Sequence, residues 1–240
     1  MKTLIFTDLD NSLIFTKKKI VNFNKKYWIQ FTYGQNNESY IHKNVLELIN
    51  NTLEHTNSEL IIVTSRNLES YKKTFFYLNN EWRKKIKYII NNFGKDIYYG
   101  SNLKKVKEYK INYDKKLYLK YINNFINYIN KITPIINGIK KINIIDNTYV
   151  EFKLYDNQTH IKNILKNLIN NMFSNKFSIY ESANTLSFYP IYLDKVKAVK
   201  YILNKEKEIF SIGIGDSLSD KKFLKLMDLK ILPKNNQFNI

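Results

Sequence analysis

The stretch Leu4-Ile5-Phe6-Thr7-Asp8-Leu9-Asp10-Asn11-Ser12-Leu13 places an apolar run directly before two aspartates. A run of that length reads as a short buried strand. A strand buried on both faces has no packing reason to end in paired carboxylates, because an unpaired charge is costly away from water. A cation or a phosphoryl group would make the pair useful; two solvated acids at a strand end are the plainer alternative.

The pattern recurs. Glu59-Leu60-Ile61-Ile62-Val63-Thr64-Ser65-Arg66 is an apolar run ending in hydroxyls and a cation. Ile209-Phe210-Ser211-Ile212-Gly213-Ile214-Gly215-Asp216-Ser217-Leu218-Ser219-Asp220 again ends in acids. Between the first two runs, Val45, Leu46, Leu48, Ile49 and Leu53 give His42 to His55 the spacing of an amphipathic helix. Asn67 to Trp82 reads as a second helix, and Lys87 to Ile90 as a further strand. Lys17 to Tyr40 has poor periodicity and reads as a loop or irregular hairpin. Alternating strands and helices predict a doubly wound parallel α/β sheet of the Rossmann-like kind. Such sheets bind ligands at the carboxyl ends of their strands, which is where Asp8, Asp10, Thr64, Ser65, Asp216 and Asp220 fall.

The pattern changes near Ser101. Tyr113 to Ile132 reads as a long helix. It is followed by strands Lys141 to Asp146 and Tyr149 to Tyr155, a helix Gln158 to Met172, and strands Phe177 to Glu181 and Thr185 to Tyr189 around Ser182-Ala183-Asn184. This order is an approximate duplication and predicts an open-faced α+β lobe. Phe152, Tyr155 and Tyr180 are expected to pack in its core. The predicted division is a core of residues 1–100 and 190–240 with an inserted lobe of 101–189. The core resumes with a helix near Lys195 that ends about Leu203. After the Ile209 strand come a helix carrying Phe223, Leu224, Leu226 and Met227 and a short last strand at Ile231-Leu232.

Composition narrows the chemistry. The chain has 240 residues, 44% of them hydrophobic, as in a globular protein. It has no cysteine, which excludes disulfides and thiolate chemistry. Its histidines, His42, His55 and His160, form no zinc-binding pattern. No apolar run reaches membrane-spanning length, and no secretory leader is legible; a cytoplasmic protein is expected, with no membrane partner. The net charge of +18 would suit a polyanion. Nearly all of it is lysine, with only Arg66 and Arg83 as arginine, where phosphate- and base-gripping surfaces favour arginine forks. Together with the abundance of Asn, Ile and Tyr this points to coding bias, so nucleic acid is not the expected partner.

Asp8, Asp10, Asp216 and Asp220 repel one another unless a hard cation lies among them. Mg²⁺ fits, since it takes oxygen ligands and keeps positions open for phosphate. For Asp220, helix capping is a compatible second role.

In this order the segments Asp8-Leu9-Asp10-Asn11-Ser12, Thr64-Ser65-Arg66, Lys195 and Gly215-Asp216-Ser217-Leu218-Ser219-Asp220 resemble the motifs of the haloacid dehalogenase (HAD) superfamily of phosphohydrolases. The lobe between the second and third segments is similar in placement to the larger, sheet-based cap of the Cof-type, sucrose-phosphate and mannosyl-phosphoglycerate phosphatases and of phosphomannomutase. Ile89-Ile90-Asn91-Asn92-Phe93-Gly94-Lys95-Asp96-Ile97 resembles the step that precedes that cap. The resemblance implies a phosphatase for a small phosphorylated metabolite, sugar phosphates first. It makes Asp8 the nucleophile and Asp10 the acid and base. Thr64, with Ser65 as the competing hydroxyl, and Lys195, with Lys197 and Lys200 as competitors, would bind the phosphoryl group. The Mg²⁺ ligands would come from Asp8, Asp10, Asp216 and Asp220. The chain departs from the motifs at Asn11, Ser12, Ser65, Val196 and Ser219. A phosphomutase, or an inactive core with a basic nucleic-acid-binding surface, are the alternative readings.

Overall fold

The computed structural model describes residues 2–34, 38–132, 137–182, 184–234 and 236–238. They form two compact units, residues 1–110 with 194–240, and residues 111–193.

The first unit is built on a six-stranded sheet. Its strands are β1 (Lys2–Thr7), β5 (Ser58–Val63), β6 (Ile86–Asn91), β7 (Asp96–Tyr99), β12 (Ile209–Ile214) and β13 (Leu229–Ile231), in the order β13-β12-β1-β5-β6-β7. All neighbours are parallel except β6 and β7. Alternate residues of a strand face opposite sides, and both sides are buried. Ile5, Leu60, Ile62 and Ile89 pack with Leu46 and Ile49 of helix α1 (Lys43–His55). Leu4, Phe6, Ile61, Val63 and Ile90, on the other face, are equally buried. Helix α7 (Lys195–Lys205) packs against β6 and turns Ala198, Val199 and Ile202 inward. The sheet is therefore covered on both faces, as the near-continuous apolar strands require.

Three features depart from the sequence reading. The segment between β1 and α1 contains a three-stranded antiparallel sheet of β2 (Ile14–Thr16), β3 (Trp28–Gln30) and β4 (Ser39–His42), in the order β2-β4-β3. Ile14, Ile41 and Ile29 lie in register across it and join the core. Secondly, Asn67 to Trp82 is not one helix. It breaks into α2 (Leu68–Tyr71), α3 (Phe75–Leu78) and α4 (Asn80–Lys85). Pairing with the preceding small sheet competes for the backbone: Phe75 N–H donates to Phe31 O at 2.6 Å and Tyr33 N–H to Lys73 O at 2.9 Å. Asn79 then starts α4 by accepting the Glu81 and Trp82 N–H groups. Thirdly, β7 returns antiparallel beside β6. The chain after it stays with the first unit through Val106 N–H to Ile97 O, 2.8 Å, and Tyr109 Oη–H to Gly94 O, 2.7 Å.

The second unit carries α5 (Lys115–Ile129), β8 (Ile139–Ile145), β9 (Tyr149–Leu154), α6 (Thr159–Met172), β10 (Phe177–Ser182) and β11 (Thr185–Pro190). The four strands form an antiparallel sheet ordered β10-β11-β9-β8. Each hairpin thus supplies one central and one outer strand, the arrangement expected of two α-β-β halves related by a twofold. Ile122, Phe125 and Ile129 of α5 and Ile161, Leu165 and Ile169 of α6 pack on Val150, Phe152, Leu186 and Phe188. Of the three aromatic residues assigned to this core, Phe152 belongs to it. Tyr155 lies beyond β9 and is exposed. Tyr180 pairs with Ser187, one residue out of phase with the Ile179–Phe188 pair, so it faces the opposite side of the sheet. Ala183, in the expected turn, lies outside the described residues. Among the described residues no helix is long and apolar enough to cross a membrane.

Candidate active site

The acids sit where β1 and β12 end. Asp8 continues β1, and its N–H donates to Ile214 O at 2.9 Å, tying it to the end of β12. Asp216 follows β12 after Gly215. Asp8, Asp216 and Asp220 are buried and bring carboxylate oxygens within 4.8 Å of one another. Ser12 joins two of them, its Oγ lying 3.2 Å from Asp8 Oδ2 and 3.1 Å from Asp216 Oδ1. The loop turns back immediately after Asp10. Leu9 O accepts from the N–H groups of Leu13 and Ile14 at 3.0 Å, while Asn11 takes φ 64°. This fold-back returns Ser12 to the acids.

Lys195 opens α7 and points into the cluster, only 3% exposed. Its ammonium donates at 2.7 Å to Asp8 Oδ1 and at 2.7 Å to Asp220 Oδ1. Lys197 and Lys200, the competing lysines, are exposed on the same helix. Gly94 lets α7 start here. It has φ +87°, and a Cβ on it would lie 2.5 Å from Asp194 O. Asp194 itself caps α7 by accepting Val196 N–H at 3.0 Å.

Asp220 precedes the short helix α8 (Lys221–Leu224) but makes no side-chain cap to it. Its Oδ2 accepts instead from Ser217 N–H at 3.0 Å and Ser217 Oγ at 2.7 Å. The capping role is thus replaced by a tight loop that aims Asp220 at Lys195. Gly215 makes room for it, since a Cβ there would lie 2.8 Å from Asp220 Cβ.

Asp10 stands apart from the triad. Its carboxylate is taken by the fork of Arg66, with Nε 2.8 Å from Oδ2 and Nη2 2.6 Å from Oδ1. Thr64, fully buried after β5, accepts Arg66 N–H on its Oγ1 at 3.1 Å, which leaves its own O–H to donate. Ser65 beside it is half-buried.

The electrostatics follow the geometry. Burial pushes the pKa of Asp8 well up; Lys195 pulls it back, and Asp220 and Asp10 push it further. Burial, with Asp220 adding repulsion, raises Asp216 to about 6. Burial opposes charge on Asp10, but the Arg66 guanidinium outweighs it and holds that carboxyl below its usual range. Burial also works against the charge of Lys195; Asp220 and Asp8 overcome it and lift its pKa above the usual lysine value. The triad is thus short of positive charge even with Lys195 in place. Buried oxygen ligands at this spacing suit a hard divalent cation.

Ser12, Ser217 and Arg66 are site residues that the sequence reading does not assign a role, and only the two serines carry a local signal. Ser12 sits four residues after Asp8 and Ser217 three before Asp220, distances at which a hydroxyl can fold back on a carboxylate. The pairing of Arg66 with Asp10 has no local signal.

No family model matches the sequence, and no curated protein matches it. Solved structures do match in shape. A haloacid dehalogenase-like hydrolase from Bacteroides thetaiotaomicron is 14% identical, with 99% of this chain and 90% of that one covered at a TM-score of 0.63. The IMP-nucleotidase of Plasmodium falciparum is 16% identical, covering 98% of this chain and 60% of that one at 0.62. The sucrose-phosphatase of Synechocystis, solved in complex with sucrose and phosphate, is 15% identical, covering 99% and 85% at 0.50. With its parallel-sheet core and added antiparallel-sheet unit, the chain has the fold of the haloacid dehalogenase-like hydrolases.

Proposed function

We propose that this chain is a Mg²⁺-dependent phosphatase that hydrolyses a small organic phosphomonoester, a sugar phosphate or similar metabolite, through a phosphorylated aspartate. The observation that carries the reading is the buried triad Asp8, Asp216 and Asp220 with Lys195 bridging two of its members at 2.7 Å. The likeness in fold to proteins described as a haloacid dehalogenase-like hydrolase, an IMP-nucleotidase and a sucrose-phosphatase supports the class of reaction.

In this reading Asp8, Asp216 and Asp220 hold Mg²⁺, which supplies positive charge to the phosphoryl oxygens when bound. Asp8 attacks phosphorus through a carboxylate oxygen, forming a P–O bond as the bond to the ester oxygen breaks. Lys195 favours the ionised form of Asp8 against the effect of burial, orients it, and offsets charge on the phosphoryl group. Thr64 donates its O–H to a phosphoryl oxygen, with Ser65 placed to assist. Asp10 gives a proton to the departing ester oxygen. It then takes one from the water that attacks phosphorus, and the Asp8–phosphorus bond breaks to release phosphate. Because the Arg66 fork favours the ionised form, Asp10 must leave at least one arm of that fork to carry a proton. The core is assigned to residues 1–110 and 194–240, and residues 111–193 are assigned to substrate choice as a cap.

The test is phosphate release from a broad panel of phosphomonoesters, with and without Mg²⁺, beside Asp8→Asn. Metal-dependent release that Asp8→Asn abolishes is the expected result. A folded protein that releases no phosphate from any ester would sink this reading; isomerisation of a sugar phosphate dependent on a bisphosphate activator would replace it with a mutase.

A further inference from the structure

Beside the acids, on the connection from β2 to β3 of the small sheet, lies a cation that the catalytic scheme does not use. Lys17–Lys19 form one turn of 3₁₀ helix directly after β2. Lys17 is directed at the ring of Phe23, 5.2 Å from its centroid. Lys19 is directed the other way: its ammonium donates to Asn11 Oδ1 at 2.7 Å. Asn11 immediately follows Asp10, at the outer tip of the fold-back, with φ 64°. An ammonium has three donors, and the amide oxygen takes one. Among the described residues Lys19 makes no ion pair, since Asp10 is held by Arg66 and Asp8 by Lys195. The chain therefore sets a solvent-facing ammonium at the rim of a buried acid cluster and fixes it by a side chain of the nucleophile loop itself.

We infer that Lys19, held on Asn11, is a specificity residue that binds a second anionic group, carboxylate or phosphate, on the phosphomonoester whose phosphoryl group enters the acid site. The inference rests on the phosphatase reading of that site and narrows its substrates to esters with a further negative charge near the reacting one. Other lysines also have side-chain acceptors, Lys85 on Asn50 and Lys222 on Asp194 among them; Lys19 differs in being held on the loop that carries Asp8 and Asp10. Its acceptor there belongs to a residue placed in the left-handed region that asparagine tolerates better than most side chains.

The experiment uses matched esters that differ in the second charge: phosphoglycolate against 2-hydroxyethyl phosphate, and glucose 1,6-bisphosphate against glucose 6-phosphate, all with Mg²⁺. In the wild type the doubly anionic member of at least one pair is preferred. Lys19→Ala lowers the ratio of kcat/KM within that pair about tenfold, chiefly through KM, the size expected for losing one charge-assisted hydrogen bond. Lys19→Arg retains most of the preference, and Lys19→Glu falls below Lys19→Ala. Asn11→Gly, which keeps the positive φ but removes the anchor, lowers the ratio by a smaller factor. Equal losses on both members of each pair would overturn the inference, since Lys19 would then only offset charge on the acids. Turnover without any wild-type preference would overturn it too, while leaving the phosphatase reading intact. No phosphate release from any ester would remove both.

Discussion

Arg66 holds both carboxylate oxygens of Asp10, at 2.8 and 2.6 Å, so the residue assigned to proton transfer is clamped in its charged form. The clamp joins the end of β5 to the loop after β1. It sets the pKa of Asp10 below the ordinary aspartate range, against the opposing effect of burial. Arg66→Ala should therefore raise that pKa. If protonated Asp10 is needed at the first step, the loss of rate as pH rises through its pKa moves to higher pH in the variant. Arg66→Lys, which keeps charge but not the fork, should move it less. Pre-steady-state rates of leaving-group release across pH 4–8 measure the shift; coincident profiles for wild type and Arg66→Ala would refute it.

Lys195 is the sole cation in direct contact with the buried triad among the described residues. Removing one partner of a buried, hydrogen-bonded ion pair typically costs about 3–5 kcal/mol, because the other charge is left uncompensated. Lys195→Met should lower stability on that scale in EDTA. Saturating Mg²⁺ should restore part of the loss, since the acids then regain positive charge. Urea unfolding with and without Mg²⁺ reads both effects, and an equal loss in the two conditions would count against a shared metal and lysine site.

Asp216 gives a pH prediction for the metal-free protein. Its folded pKa of about 6 lies above the ordinary aspartate value of 3.8. Folding therefore favours the protonated form. Stability is greatest below the ordinary value and declines as pH rises from about 4 through 6, by up to about 3 kcal/mol for this group. Asp8 acts in the same direction. Asp216→Asn should flatten this decline and, in EDTA at pH 7.5, melt above the wild type. Added Mg²⁺ should raise the wild-type Tm more at pH 7.5 than at pH 5, and leave Asp216→Asn nearly unmoved. A wild type whose metal-free stability rises between pH 5 and 7.5 relative to Asp216→Asn would contradict the assignment.

Gly94 tests how the lysine is delivered. At φ +87° and with Asp194 O only 2.5 Å from where its Cβ would be, it has no room for a side chain. Gly94→Ala must push back the start of α7, and Lys195 with it. The expected cost is about 2–3 kcal/mol of stability from strain and displaced packing. Activity should fall by much more than the unfolded fraction accounts for. Comparing kcat at a temperature where the variant is fully folded decides this, and a near-normal kcat would show that Lys195 tolerates the displacement.

How much of this was legible in the sequence depends on which interactions are local. The parallel core could be read because β1, β5 and β12 are buried on both faces and so remain apolar along their length. The meeting of Asp8 with Asp216 followed from where those runs stop. Lys195 could be separated from Lys197 and Lys200 only by analogy, because spacing along one helix does not say which face is inward. The breaks between α2, α3 and α4 were illegible for a different reason. Phe75 and Tyr33 make backbone hydrogen bonds with partners about forty residues away in sequence, and such pairing overrides helical spacing. The Arg66 fork on Asp10 spans a similar separation and has no periodic signature. The cation at Lys19 was hidden by abundance, since one anchored lysine looks like every other in a lysine-rich chain.

The order of strands in the first unit has a consequence for how the chain comes into being. β1 is central, between β5 and β12, yet β12 lies some two hundred residues later. During synthesis β1 can pair with β5 early, but its other edge stays bare until residues 209–214 emerge, along with Asp216 and Asp220. Residues 111–193 are contiguous, and their core closes with Leu186 and Phe188. That unit can therefore fold on the ribosome while its host sheet waits with an open edge, the state most prone to mispairing. A nascent chain stalled just short of residue 209 should bind chaperones that recognise exposed strands and lack the acid cluster altogether.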